Sequence, residues 1–93
     1  MMKKILLTNL VLDSKEAIKP IQYSVSTVYQ YGLAWDELIC FFKSHGQTYF
    51  FKELAIRFVQ DSKAELDQGL IKKWRYKLRR LSVQILIEVL ETG

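Results

Sequence analysis

Six cationic side chains fall within twelve residues of this sequence: Lys72, Lys73, Arg75, Lys77, Arg79 and Arg80, in LIKKWRYKLRRL (70–81), with no acid among them. The chemistry open to such a segment is anion binding. Guanidinium groups contact phosphate oxygens in pairs, ammonium groups neutralise them as point charges, and Tyr76, which falls inside the same basic arc, can stack on an unpaired base. Like charges at i,i+4 spacing, such as Lys73 with Lys77 and Arg75 with Arg79, repel by roughly 0.2–0.5 kcal/mol per pair unless an anion is bound. The block carries +6 in a chain whose net charge is +4, so the remainder is slightly acidic and one segment sets the sign. A field of this kind favours nucleic acid, an anionic membrane or an acidic protein face.

Other chemistry is thinly supplied. His45 is the only histidine and stands where the last turn of a helix is expected, a position in which its charge complements the helix dipole. The single cysteine, Cys40, lies in Leu38-Ile39-Cys40-Phe41-Phe42; it can form no internal disulfide, and its apolar neighbours predict a buried, inert thiol and a reducing cytoplasmic setting. The sequence contains no Gly-rich phosphate loop, HExxH, CxxC or carboxylate pair with a supporting base, so it predicts no enzyme, no metal site and no cofactor. Trp35, Trp74 and the phenylalanines between 41 and 51 are expected in the core rather than in a ligand cage.

The elements that position the basic block follow from periodicity. If 70–81 is helical, Ile71, Trp74, Leu78 and Leu81 form an apolar stripe and the cations occupy the remaining arc. Trp35, Leu38, Ile39 and Phe42 repeat at i, i+3, i+4, i+7, with Asp36 and Glu37 early, Lys43 and His45 late and Gly46 beyond, which predicts a helix over about 34–45. A preceding helix carries Ile21, Val25 and Val28 and ends at Gly32. Thr48 is placed to cap a third helix with Phe51, Leu54, Ala55 and Phe58 on one face, apolar enough to be central. Asp13 with Glu16, and Ser62 with Glu65, have capping-box spacing and suggest helix starts near Ser14 and Lys63; Pro20 either kinks the first of these helices or begins it, and Gly69 is expected to bend the second. The terminal apolar runs, 3–12 and 82–90, read as helices or, alternatively, as paired strands. The helix, Gly46 turn, helix sequence invites a helix-turn-helix reading, but a second helix opening Thr48-Tyr49-Phe50-Phe51 offers few base-reading groups beyond Gln47, Lys52 and Arg57.

At 93 residues and 49% hydrophobic content, the expectation is one globular domain over 1–93, all-α, a compact bundle of about four helices, with α+β as the alternative. Asn9 interrupts the apolar N-terminal run and no small-residue cleavage site follows, which argues against a signal peptide, and no apolar run approaches the ~20 residues that cross a bilayer. An interfacial membrane helix would need its apolar stripe free, whereas here the core needs it, so no membrane partner is expected. The expected function is a small basic, non-enzymatic subunit that binds nucleic-acid backbone, RNA or DNA, through Lys72, Lys73, Arg75, Tyr76, Lys77, Arg79 and Arg80, as a helical component of a ribonucleoprotein or DNA-processing complex. Val83, Leu86, Ile87 and Leu90, on the same side of the helix, form an apolar face for neighbouring subunits or a second copy unless the domain itself covers it. The alternative is an interaction or regulatory module, adaptor, immunity-type or antitoxin-like, whose basic helix engages an acidic protein surface.

Overall fold

The computed structural model describes residues 4–92, so Lys3, at the head of the 3–12 run, lies outside it. These residues form four α-helices, α1 (Leu7–Ala17), α2 (Val25–Ser44), α3 (Lys52–Asp67) and α4 (Lys73–Thr92), with a turn of 3-10 helix at Lys19–Ile21. The all-α expectation holds, and the paired-strand alternative for the terminal runs does not: residues 7–12 and 82–90 are both helical. The extended backbone that does pair is short. Leu7 N–H donates to the Thr48 carbonyl at 3.0 Å and Phe50 N–H to the Ile5 carbonyl at 2.8 Å, an isolated antiparallel bridge between Leu6 and Tyr49. This clip ties the N-terminal segment to the α2–α3 connection and gives partners to amides that would otherwise lack them at the start of a helix.

Several predicted boundaries move, each for a local reason. α1 begins at Leu7, not near Ser14, because Leu7, Leu10, Val11 and Ser14 already make a buried stripe at i, i+3, i+4, i+7. Asp13 is an exposed mid-helix residue, and the Ser14 hydroxyl donates back to the Leu10 carbonyl at 2.8 Å. Pro20 lies in the first turn of the 3-10 segment, where its missing N–H costs nothing, and Gln22 follows at φ 61 to turn the chain. Ser24 then caps α2, its Oγ accepting from Thr27 N–H at 3.1 Å. α2 continues through Gly32, so the two helices expected on either side of that residue are one, twenty residues long. α3 starts at Lys52 after Phe51, without a side-chain cap; the carbonyl of Thr48 belongs to the clip instead. No break occurs at Asp61–Ser62. The Ser62 hydroxyl donates to the Phe58 carbonyl at 2.8 Å inside an uninterrupted helix.

Gly46 and Gly69 end α2 and α3 in the same way. At φ +69, Gly46 donates to Lys43 and Gln47 to Phe42; at φ +75, Gly69 donates to Leu66 and Leu70 to Glu65. Both sets are the paired bonds of a Schellman motif, which needs a left-handed residue just past the helix. Gly69 is therefore a terminator and not a bend, and the basic block opens a new helix after it.

α2 and α4 each pack against all three other helices, and α4 does so more extensively, so the central element is α4 rather than α3. Trp35, Leu38 and Phe42 of α2, Leu10 of α1, Ala55 and Phe58 of α3, and Val83 and Leu86 of α4 meet in one core, inside a flattened bundle of 38 × 33 × 18 Å. Trp35 is fully buried, and its indole N–H donates to the Ser82 carbonyl at 3.0 Å. Ser14, Ser62 and Ser82 are buried where helices approach, each hydroxyl bonded to a carbonyl of its own helix, so these small side chains leave no polar group unsatisfied.

Candidate nucleic-acid interface

α4 presents the basic block, but its orientation differs from the expected one. The side chains that enter the core are Ser82, Val83 and Leu86, with Arg79 just above them. At about 100° per residue, this direction lies roughly 110° around the helix from the stripe Ile71, Trp74, Leu78, Leu81. Leu78 and Leu81 still pack against the core edge, whereas Trp74 is 54% exposed, contrary to the expectation that it would be interior. The rotation follows from tertiary packing. Trp35 needs a close backbone approach, and Ser82 is the small residue on α4 that permits one.

The rotation divides the six cations. Arg79, with 11% of its side chain exposed, points between α2 and α3. It donates to Glu37, to Glu65 at 2.8 Å and to Ser62 Oγ at 3.2 Å, and its guanidinium lies 5.5 Å from the Phe58 ring centre. Burial alone would lower its pKa, but the hydrogen bonds to Glu65 and Glu37 outweigh that and hold it above arginine's ordinary value. Arg75 shares Glu37 at 3.3 Å and remains half exposed. Arg79 is thus a tie joining three helices, with four of its five N–H donors engaged and its side chain nearly buried, and Arg75 is partly committed to the same acid.

Lys72, Lys73, Lys77 and Arg80 are different. All four are exposed, and among the described residues none forms an ion pair. Lys73, Lys77 and Arg80 share one flank of α4, spread over about 10 Å of helix, and Lys72 precedes the first turn. Tyr76 is half-buried beside them. Lys63 on α3 reaches the same neighbourhood: its hydrogen bond to Asp67, then the Asp67 charge, raise its pKa, and the Tyr76 phenol adds in the same direction.

The apolar residues expected to form a protein interface are divided as well. Val83 and Leu86 are buried in the chain's own core and offer no surface, so on that part of the helix the domain covers its own face. Ile87 packs partly against the core. Leu90 is 40% exposed and, with Val89, borders a depression of about 610 Å³ between α4 and α1 that also contains Ile5 and Leu10.

Cys40, expected to be buried, is exposed, because the inward face of α2 is taken by Leu38 and Phe42. His45 is at the end of α2 as expected, its Nδ1 2.9 Å from the Phe41 carbonyl and its ring tilted against that of Phe41, centroids 4.4 Å apart. Among the described residues no cluster of His, Cys, Asp and Glu could hold a metal ion, and no helix is long and apolar enough to cross a membrane. The side chains that sequence reasoning missed are Glu37 and Glu65, which decide which arginine is withdrawn, and the Trp35–Ser82 pair, which sets the rotation of α4. The signal available in advance was the presence of two serines, Ser62 and Ser82, at otherwise apolar helical positions.

No protein-family model matches the chain, and comparisons with curated proteins and with solved structures found no match.

Proposed function

We propose that the chain is a non-enzymatic subunit that binds nucleic-acid backbone through Lys72, Lys73, Lys77 and Arg80, with Tyr76 beside them. The observation that carries this reading is that, among the described residues, none of these four cations at the N-terminal end of α4 has an acid partner. A helix N-terminus already bears partial positive charge from its unpaired amides, and this one has no acid in its first turn. Lys72 and Lys73 there oppose the dipole, at roughly 0.3–1 kcal/mol each, and a bound phosphate would relieve both the dipole and the like-charge repulsion. Natural solvated faces usually mix their charges; between Lys73 and Arg80 this one carries no acid of its own, and the nearby Asp67 is paired with Lys63. Arg75 and Arg79, included in the expected set, drop to supporting roles because Glu37 and Glu65 hold them.

Such a surface guides phosphates with little base selectivity, which suits a component of a larger ribonucleoprotein or DNA-processing assembly. Leu90 and Ile87 are the remaining candidates for contact with a neighbouring subunit. A single free thiol suits a reducing cytoplasmic compartment.

The test is fluorescence anisotropy with labelled single- and double-stranded oligonucleotides of mixed sequence at low salt. The expected result is binding that Lys73→Glu with Lys77→Glu and Arg80→Glu abolishes while the thermal transition is retained. Absence of binding at low salt, or binding that survives the triple reversal, overturns the proposal.

A further inference from the structure

The opposite flank of α4 borders an open groove of about 710 Å³ between α2, α3 and α4. On α2 the lining residues Gln30, Leu33, Glu37, Cys40 and Ser44 recur at i, i+3, i+7, i+10, i+14, the seven-residue spacing of a seam that packs against another helix. On α3, Phe58, Asp61 and Glu65 repeat at i, i+3, i+7, and on α4, Trp74 and Leu78 lie one turn apart. Three helices therefore present packing stripes to a slot that none of the four fills. Along α2 the seam is about 21 Å long, close to four helical turns.

The slot has an apolar floor and an acidic rim. Leu33 and Trp74 stand at its opening, both more exposed than large apolar side chains in a folded core, and the exposed stripe on α2 extends back through Tyr29. Among the lining residues, Glu37 and Glu65 are matched by Arg75 and Arg79, which leaves that network close to neutral. Asp36 and Asp61, on the two walls, are exposed, and among the described residues neither forms an ion pair. The groove consequently favours cations along both edges of whatever fills it.

We propose that this groove seats an amphipathic helix of a partner protein, about four turns long, whose apolar stripe packs between Leu33 and Trp74 and whose flanking Lys or Arg residues meet Asp36 and Asp61. A second copy of this chain is a poor source of that helix. The apolar residues beside its cationic flank on α4 are Trp74 and Leu78, which line the groove itself, and Leu81, which packs against the core. The site is separate from the phosphate-facing flank of α4, so a nucleic acid and a protein could be held on opposite sides of one helix. Trp74 is the anchor expected to dominate, being large, exposed and at the mouth of an apolar slot.

The lone thiol supplies the assay, because Cys40 lines the groove and is exposed. The probe is a synthetic helical peptide of about 16 residues, with leucines at i, i+3, i+4, i+7 and lysines on both flanks, compared with the same peptide bearing glutamates in place of every lysine. Binding is followed by peptide anisotropy and by protection of Cys40 from maleimide. The expected result is that the basic peptide binds and shields Cys40, and that Trp74→Ala weakens it by roughly tenfold or more. The pair Asp36→Lys, Asp61→Lys should reverse the preference toward the glutamate peptide. All three positions are exposed, so an unchanged thermal transition certifies each variant. The proposal is overturned if the basic peptide fails to bind at about 100 µM, if Cys40 stays fully reactive when it binds, if the two peptides bind alike, or if only Lys73→Glu, Lys77→Glu and Arg80→Glu disturb binding.

Discussion

Arg79 and Arg80 are adjacent, identical in type and set in one cationic run, yet they do opposite things. Arg80 faces solvent; Arg79 is enclosed by Glu37, Glu65, Ser62 and the Phe58 ring. Nothing local separates them, because Arg79's acid partners lie 42 and 14 residues away in sequence and its direction depends on how α4 is rotated. The rotation in turn depends on Trp35 meeting Ser82, a contact spanning 47 residues. Residue types that could bind anions were legible in the sequence; which of them is free was not. The division predicts different consequences for alanine. Arg79→Ala leaves two carboxylates facing a part-buried gap and should destabilise the fold by about 2 kcal/mol, seen as a lower urea midpoint at unchanged m. Lys77→Ala should change stability by no more than about 0.5 kcal/mol. If the two variants unfold at the same urea concentration, the role of Arg79 as a tie among three helices is wrong.

At the scale of elements, the helix interiors were easier to read than their ends. The Trp35, Leu38, Phe42 periodicity and the Leu54, Ala55, Phe58 face both form as the spacing implies. Starts were misread where a short polar residue had a second use. Asp13 with Glu16 and Ser62 with Glu65 have the spacing of capping boxes, but Asp13 is an exposed mid-helix residue, and Ser14 and Ser62 each bond to the carbonyl four residues back and are buried in the bundle. Glycine was ambiguous in the same way, since it can end a helix or be tolerated within one. Gly32 is helical with open space around its missing side chain, whereas Gly69 has φ +75 and closes α3. Alanine should therefore act in opposite directions at the two sites. Gly32→Ala is expected to stabilise by roughly 0.5–1 kcal/mol, from improved helix propensity. Gly69→Ala is expected to destabilise by about 1–2 kcal/mol, because the left-handed conformation is strained for any residue with a Cβ. Chemical denaturation of the two single variants decides it, and a loss of stability for Gly32→Ala would mean that α2 needs a break there.

For the molecule as a whole, the four-helix, all-α organisation was legible because each helix carries its own apolar period, while the location of free surface was not, because it is whatever remains after all four have packed. What remains on α4 is a cationic flank on one side and an acid-rimmed apolar groove on the other, with the core between them. The proposed phosphate contacts can be counted through salt. Each phosphate neutralised releases condensed counterions, so log K falls against log salt with a slope near −0.9 per contact on duplex DNA and about −0.7 on a single strand. Four contacts, from Lys72, Lys73, Lys77 and Arg80, give expected slopes of about −3.6 and about −2.8. If Arg75 and Arg79 also reached phosphates the duplex slope would steepen to about −5.4, and the ion pairs with Glu37 and Glu65 would have to open as binding proceeded. Neutralising Lys73, Lys77 and Arg80 together should reduce the duplex slope to about −0.9, whereas Arg75→Gln should leave it near the wild-type value. A slope near −5.4 in the intact chain, or one unmoved by the triple neutralisation, would place the phosphate contacts on other residues than the four that the packing leaves free.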